Sequence, residues 1–284
     1  MFATILNAAL WPIRWAIEAV LVMAHAMLGD IGFQSDAGIT WVLAVVVLLL
    51  LVRLLVLPLA IAATKNSQKM VLLTDARIEI RARYDGDAGA DARQRRSAEL
   101  KTLRRSTDAN QLKSVIPQLV QVPIFFALYS VLRAAQTDRP GVGPLTRRLA
   151  ESFSNATVLD VPFRDAVLTA HGSTGAIVLG LSLTLIVGVA QFVAQAVTLR
   201  YNITAQARRS PIWRLRPTPL FIAPPILVIT SLAVPIGLLV YLTASSLWTL
   251  GQLLLLLRVY PLPTTEAHAA RQARIGLKAR ARLG

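Results

Sequence analysis

Apolar residues in this chain come in long blocks separated by charged stretches. Residues 39–63, 115–135, 174–200, 217–234 and 236–258 each approach or exceed the ~20 apolar residues that a helix needs to cross the hydrocarbon layer of a bilayer. The last two blocks form one run too long for a single span, and Val234-Pro235-Ile236-Gly237 is its natural turn. The pattern predicts an all-α integral membrane protein, a bundle of five transmembrane helices.

The stretches between the blocks have patterns of their own. In residues 64–114, Met70, Leu73, Arg77, Ile80 and Tyr84 follow a 3-4-3-4 spacing, one face of a helix. "DGDAGAD" then breaks it, and "ARQRRSAELKTLRRS" resumes with helix formers. This predicts a charged helical hairpin. Residues 1–38 include "WPIRWAIEAVLVMAHAML", apolar but interrupted by Arg14, Glu18 and His25. It lacks the positive start and small-residue cleavage site of a signal peptide, and reads as an amphipathic helix on the outer membrane face. A sixth span is the alternative. Residues 136–173 and 201–216 are connecting loops, and 259–284 is a basic tail.

Composition agrees: 55% of the residues are hydrophobic and mean hydropathy is +0.55. The 284-residue chain has no cysteine, which excludes a disulfide framework and a thiolate metal site. Its three histidines lie far apart without ligand spacing, so neither metal nor cofactor is expected. The net charge of +15 would suggest nucleic acid in a soluble protein. Here its distribution speaks instead to topology. Twelve Lys/Arg lie in 64–114 and four in 201–216, and the tail carries five more, against Arg14 alone ahead of the first span and four in 136–173. Positive loops stay inside. The expectation is a multi-pass protein of the bacterial plasma membrane, with its N-terminus outside and its C-terminus cytoplasmic.

The polar residues inside the spans are the candidates for function. Arg53 stands in "LLLLVRLLVLPLAI", about 12 residues from either end of its span, or roughly 18 Å at 1.5 Å per residue. A side chain cannot reach water over that distance. An arginine at mid-membrane costs about 2.5–3.5 kcal/mol on insertion scales. No acidic residue lies in any of the five spans, so an ion pair inside the membrane is excluded. Water, backbone carbonyls or polar side chains remain. In the last span Tyr241, Ser245, Trp248 and Gln252 are spaced 4, 3 and 4, a single polar and aromatic stripe. Gln118, Gln121 and Phe125 share a face of the second span, loosened by Pro117 and Pro123. Thr184, Gln191, Gln195 and Thr198 line the third. Each stripe can serve a hydrated cavity or simply bond helix to helix. No internal repeat, phosphate loop or nucleophile–base pair is present, which argues against a transporter and an enzyme.

The motifs resemble those of the YidC/Oxa/Alb family of membrane protein insertases. "RLLVLPLAIAATKNSQKM" (Arg53 to Met70) is similar to that family's first conserved span and its cytoplasmic exit. "NQLKSVIPQLVQVPIFFALYSVLR" (Asn110 to Arg133) resembles its most distinctive stretch, with Pro117, Gln121, Pro123, Ile124, Phe125, Ala127, Leu128 and Tyr129 in the expected order. "GLLVYLTASSLWTLGQ" (Gly237 to Gln252) resembles the last span, and "AQFVAQ" (Ala190 to Gln195) a weaker signature. Gln111 and Ser246 depart from the family's usual Pro and Asn, and Lys113 from its usual small residue. The short length resembles the Gram-positive form.

The resemblance implies a non-enzymatic insertase. Nascent membrane proteins would enter a hydrophilic groove holding Arg53, with Gln121, Tyr241, Ser245, Trp248 and Gln252 on its walls. Arg53 would attract acidic residues of the substrate, and apolar partition into the lipid bilayer would drive insertion. The ribosome and the Sec translocon are the implied partners, the ribosome through the basic tail and hairpin; no small-molecule substrate is implied. The rival expectations are an assembly chaperone or scaffold without insertase activity, and a channel.

Overall fold

The computed structural model describes residues 2–87, 89–106, 111–137, 139–169, 173–201, 217–261, 268–269 and 271–273. It is an all-α membrane protein. The helices are α1 (Phe2–Asp30), α2 (Gly38–Arg83), α3 (Ala90–Ser106), α4 (Gln111–Gln136), α5 (Arg147–Asn155), α6 (Thr174–Tyr201), α7 (Pro217–Ser231) and α8 (Ile236–Val259). Of the expected loop 201–216, residue Tyr201 ends α6 and 202–216 lie outside the described residues, as does most of the basic tail.

Among the described residues five helices are long and apolar enough to cross a membrane, by length and composition. Three contain expected spans, Gly38–Arg83, Thr174–Tyr201 and Ile236–Val259, and Leu119–Gln136 covers most of the expected span 115–135. The fifth is Leu10–Asp30, expected to be interfacial, whereas α7, the expected fourth span, has 15 residues. The α7–α8 turn falls at residues 232–235, and Pro235 immediately precedes α8, where its missing N–H is not needed.

The chain forms two compact units. The first comprises Met1–Val56, Gln118–Val193 and Phe221–Leu250. Its core joins Ile17, Leu21 and Ala24 of α1 to Trp41, Val45 and Leu48 of α2. Leu128, Val131 and Leu132 of α4, and Ile236, Leu239 and Tyr241 of α8, complete it. The polar side of α1 faces inward. Glu18 is fully buried and His25 nearly so, while Trp11, Trp15, Met23 and Met27 are exposed. His25 stacks on Trp41 at 3.8 Å and hydrogen-bonds the Ser35 carbonyl at 2.8 Å, which ties α1 to the start of α2.

Residues 136–173 are not a plain loop. They hold α5, a hairpin of two-residue strands (β1, Thr157–Val158; β2, Val161–Pro162) and a single 3-10 turn at Val167–Thr169. Thr146 caps α5 by accepting from the Leu149 N–H. Phe153 and Phe163 are fully buried; they meet edge to face at 5.1 Å, and Phe153 meets Trp41 at 5.2 Å. Two orphan donors at the α8 N-terminus are taken up here, Ile236 N–H by the Asp165 carbonyl (2.7 Å) and Gly237 N–H by the Phe163 carbonyl (3.1 Å). The segment is a packed cap on the helix ends.

The second unit comprises Leu57–Pro117, Ala194–Leu220 and Gly251–Gly284. It contains the expected hairpin. α2 continues to Arg83 without interruption, since no Gly or Pro stands between Leu59 and Arg83, and Pro58 is accommodated inside the helix. Leu73 and Ile80 of the expected apolar face are buried. Gly86 has φ +95°, the left-handed conformation that ends the helix, and α3 returns from Ala90. Tyr84 donates to Glu99 across the hairpin at 3.2 Å, with Arg83 3.6 Å from the same carboxylate.

Candidate functional site

The site is built around Arg53. Its helix is otherwise apolar at this level, with Leu50, Leu51, Leu54 and Leu55 exposed on the outward side. Arg53 points the other way, toward α8. Its Nη2 donates to Ser245 Oγ at 2.7 Å and to Thr249 Oγ1 at 3.4 Å. Its Nε is buried without a partner among the described residues. An arginine presents five N–H donors. Here two α8 hydroxyls engage one end of the guanidinium, and neither is charged.

The order along α8 explains the arrangement. Tyr241, Ser245 and Thr249 stand four residues apart and fall on one face. Tyr241 is almost fully buried and interacts with Ser245 side chain to side chain; Thr249 donates back to the Ser245 carbonyl at 2.8 Å. Such local bonds hold hydroxyl-bearing residues inside an apolar helix without unsatisfied polar groups. The sequence reading found Tyr241 and Ser245 but missed Thr249, although the i, i+4 spacing from Ser245 marks it.

The other expected wall residues divide. Trp248 is half-buried on the same helix. Gln252 is half-buried in the second unit, as a residue of its own. Gln121 is half-buried on α4 and makes no hydrogen bond to Arg53 among the described residues. The Gln118 side chain lies outside them. The stripe on α6 bonds helix to helix: Ser231 of α7 donates to Thr184 at 3.2 Å, and Gln191 donates to Ser246 of α8 at 3.4 Å. Ser246, where the resembled family usually has Asn, thus retains a polar partner.

What this arrangement can do is electrostatic. A guanidinium in a low-dielectric environment attracts a carboxylate far more strongly than it would in water. Two hydroxyls orient it without neutralising it.

The family model described as 60Kd inner membrane protein matches residues 32–262. The chain belongs to this family. The match takes in Arg53, the α4 motif and the whole of α8. Among curated proteins, the chain is 29% identical over 285 residues to "Membrane protein insertase YidC" of Tropheryma whipplei (strain Twist), covering 96% of this chain and 91% of that one. It is 30% identical over 267 residues to the protein of that name in Streptomyces avermitilis, covering 91% and 60%. The Bifidobacterium longum protein is 25% identical over 269 residues, covering 93% and 80%. These relatives of the 60Kd inner membrane protein family come from Gram-positive-type bacteria, in keeping with the resemblance read from the motifs.

Proposed function

We infer that the protein is a membrane protein insertase that acts without enzymatic chemistry. The observation that carries this reading is Arg53: an intramembrane cation held by two hydroxyls, its Nε without a partner among the described residues. Family membership supports it. A nascent helical hairpin presents a polar, often acidic segment, and Arg53 lowers the cost of bringing that segment partway into the bilayer. The apolar helix behind it then partitions into lipid at about 25 cal/mol per Å² of apolar surface removed from water. Tyr241, Ser245, Thr249, Trp248 and Gln121 of the first unit line the substrate path.

The N-terminus and the cap lie outside the cell, and the hairpin and tail in the cytoplasm, in accord with the basic residues on α3. α1 lies along the outer membrane face. In support, Glu18 and His25, about 10 Å apart along the helix, both reach segments at one end of the bundle: the loop after α4 and the start of α2. The exposed Trp11 and Trp15 suit a membrane interface. The ribosome docks on the basic hairpin and tail, and the protein acts alone or with the Sec translocon.

The test is reconstitution. Purified protein in liposomes without Sec components should insert a small single-span substrate made by in vitro translation, scored by protease protection. Protection no better than in empty liposomes would leave an assembly chaperone as the activity.

A further inference from the structure

Among the described residues Glu18 is the one acidic side chain of the core that is fully buried, and no step of insertion as described above uses it. Its hydrogen-bond partners are all backbone. Oε1 accepts from the Val142 N–H at 2.9 Å, and Oε2 accepts from the Gly143 N–H at 2.7 Å. The loop "PGVGP" (Pro140 to Pro144) is shaped to bring these two donors onto one carboxylate. The Gly141 N–H donates to the Leu145 carbonyl at 2.8 Å, which closes the loop on itself. Gly141 lies so close to the Glu18 carboxylate that a Cβ there would overlap it, and at Gly143 a Cβ would overlap the Trp15 indole. Loop and helix α1 therefore fit only with glycine at both positions.

The loop's position gives this contact its consequence. It follows α4 directly and leads through Leu145, fully buried, into α5. α5 places Ser152 between Trp41 Nε1 (3.2 Å) and Asp36 Oδ1 (2.7 Å), and its Phe153 covers the start of α2. The cap is thus fastened at one side by α8, through Asp165 and Phe163, and at the other by Glu18. Beneath it, toward Arg53, lie Trp41, Leu48, Leu128 and Tyr241, each at most 2% exposed. Gln136, at the end of α4, is also buried with neither amide atom partnered among the described residues.

We propose that Glu18 is the latch that keeps the cap-side end of the bundle closed, a positioning residue that bars water and ions from reaching the Arg53 site through the outer face. This goes beyond the insertase reading and is tested without any substrate, so its failure is separable from that of insertion. The cysteine-free chain lets one thiol report. Leu128→Cys places that thiol beneath the cap. Spheroplasts and inverted vesicles carrying the full-length protein are treated with a membrane-impermeant maleimide. With Glu18 present, the introduced thiol stays unlabelled from the outer face. Glu18→Ala, which orphans both N–H groups, and Gly143→Ala, which pushes the loop off Trp15 and leaves Glu18 intact, should each raise outer-face labelling at least tenfold. Glu18→Gln, which keeps one acceptor, should fall between and serves where the alanine variant does not fold. A merely structural role lowers thermal stability without side-specific labelling. Folded variants whose introduced thiol is as unreactive as before, or labelling that rises only in inverted vesicles, would overturn the proposal.

Discussion

Glu18 and Arg53, side chains of opposite sign in the first unit, are held in opposite ways. Glu18 has no exposed surface, and each of its oxygens accepts a backbone N–H at 2.7–2.9 Å. Arg53 is half-buried, its bonds go to two hydroxyls, and its Nε has no partner among the described residues. Both Glu18 oxygens are engaged by main-chain groups of a loop that closes on itself through Gly141 and Leu145. Arg53 retains unused donors next to groups that can exchange partners. A buried polar group held by fixed main-chain partners fixes structure, while one held by side chains that can exchange partners is available to something that comes and goes.

The comparison is broken most forcefully by deleting each side chain and measuring stability. Glu18→Ala leaves two part-buried N–H groups without their acceptor, at up to about 1–3 kcal/mol each. The purified variant should therefore melt well below wild type in detergent. Arg53→Ala removes a charge that costs about 2.5–3.5 kcal/mol to place in a bilayer, and steady-state protein level should be unchanged or higher. Equal losses of stability in the two variants would erase the distinction.

A smaller effect sharpens the Arg53 side. Ser245→Ala removes the 2.7 Å partner and Thr249→Ala the 3.4 Å partner. The first should reduce insertion of an acidic substrate several-fold, the second less than about twofold, and the double variant by about tenfold, the equivalent of about 1.4 kcal/mol. A larger loss in Thr249→Ala than in Ser245→Ala would show that bond length does not rank the two partners.

The smallest effect concerns which face of α8 meets the substrate. Photo-crosslinkers placed one residue at a time over 241–252 should capture a stalled nascent chain at Tyr241, Ser245, Trp248, Thr249 and Gln252. They should miss Leu247, which is half exposed on the opposite side. The yield should repeat about every 3.6 residues. A flat profile would deny the helix a dedicated face.

The fold was largely legible in the sequence, because membrane spans announce themselves by length and apolar run. The α7–α8 turn was marked by Pro235, and the hairpin by the 3-4-3-4 spacing before "DGDAGAD". The cap was not. "TRRLAESFSN" does contain a helix signal, Thr146 as N-cap and an Arg147–Glu151 pair at i, i+4, 3.0 Å apart. The hairpin after it has no such signal: its turn puts Leu159 and Asp160 at positive φ, where Asn-Gly is the usual choice. Composition alone left α1 open between an interfacial helix and a span, because its polar residues Glu18 and His25 face inward while Trp11, Trp15, Met23 and Met27 are exposed. Within the site, Arg53 was found because an unpaired intramembrane charge is costly, and Ser245 because it shares a stripe with Tyr241. Thr249 was passed over because a lone threonine in a helix is ordinary. Glu18 was noted as an interruption of an apolar run, since its partners are main-chain groups 124 and 125 residues away, which no local pattern reveals.

The central claim is that Arg53 acts through its charge on the substrate. The direct measurement is a paired insertion assay in proteoliposomes. Wild type, Arg53→Lys, Arg53→Ala and Arg53→Glu are each given two single-span substrates that differ only in whether the translocated segment is acidic or neutral. The account predicts that lysine retains most of the activity, and that alanine loses the acidic substrate about tenfold while keeping the neutral one. Glutamate should be worse than alanine toward the acidic substrate. If Arg53→Ala inserts the acidic substrate as well as wild type does, at equal protein level, the charge is not what moves the substrate.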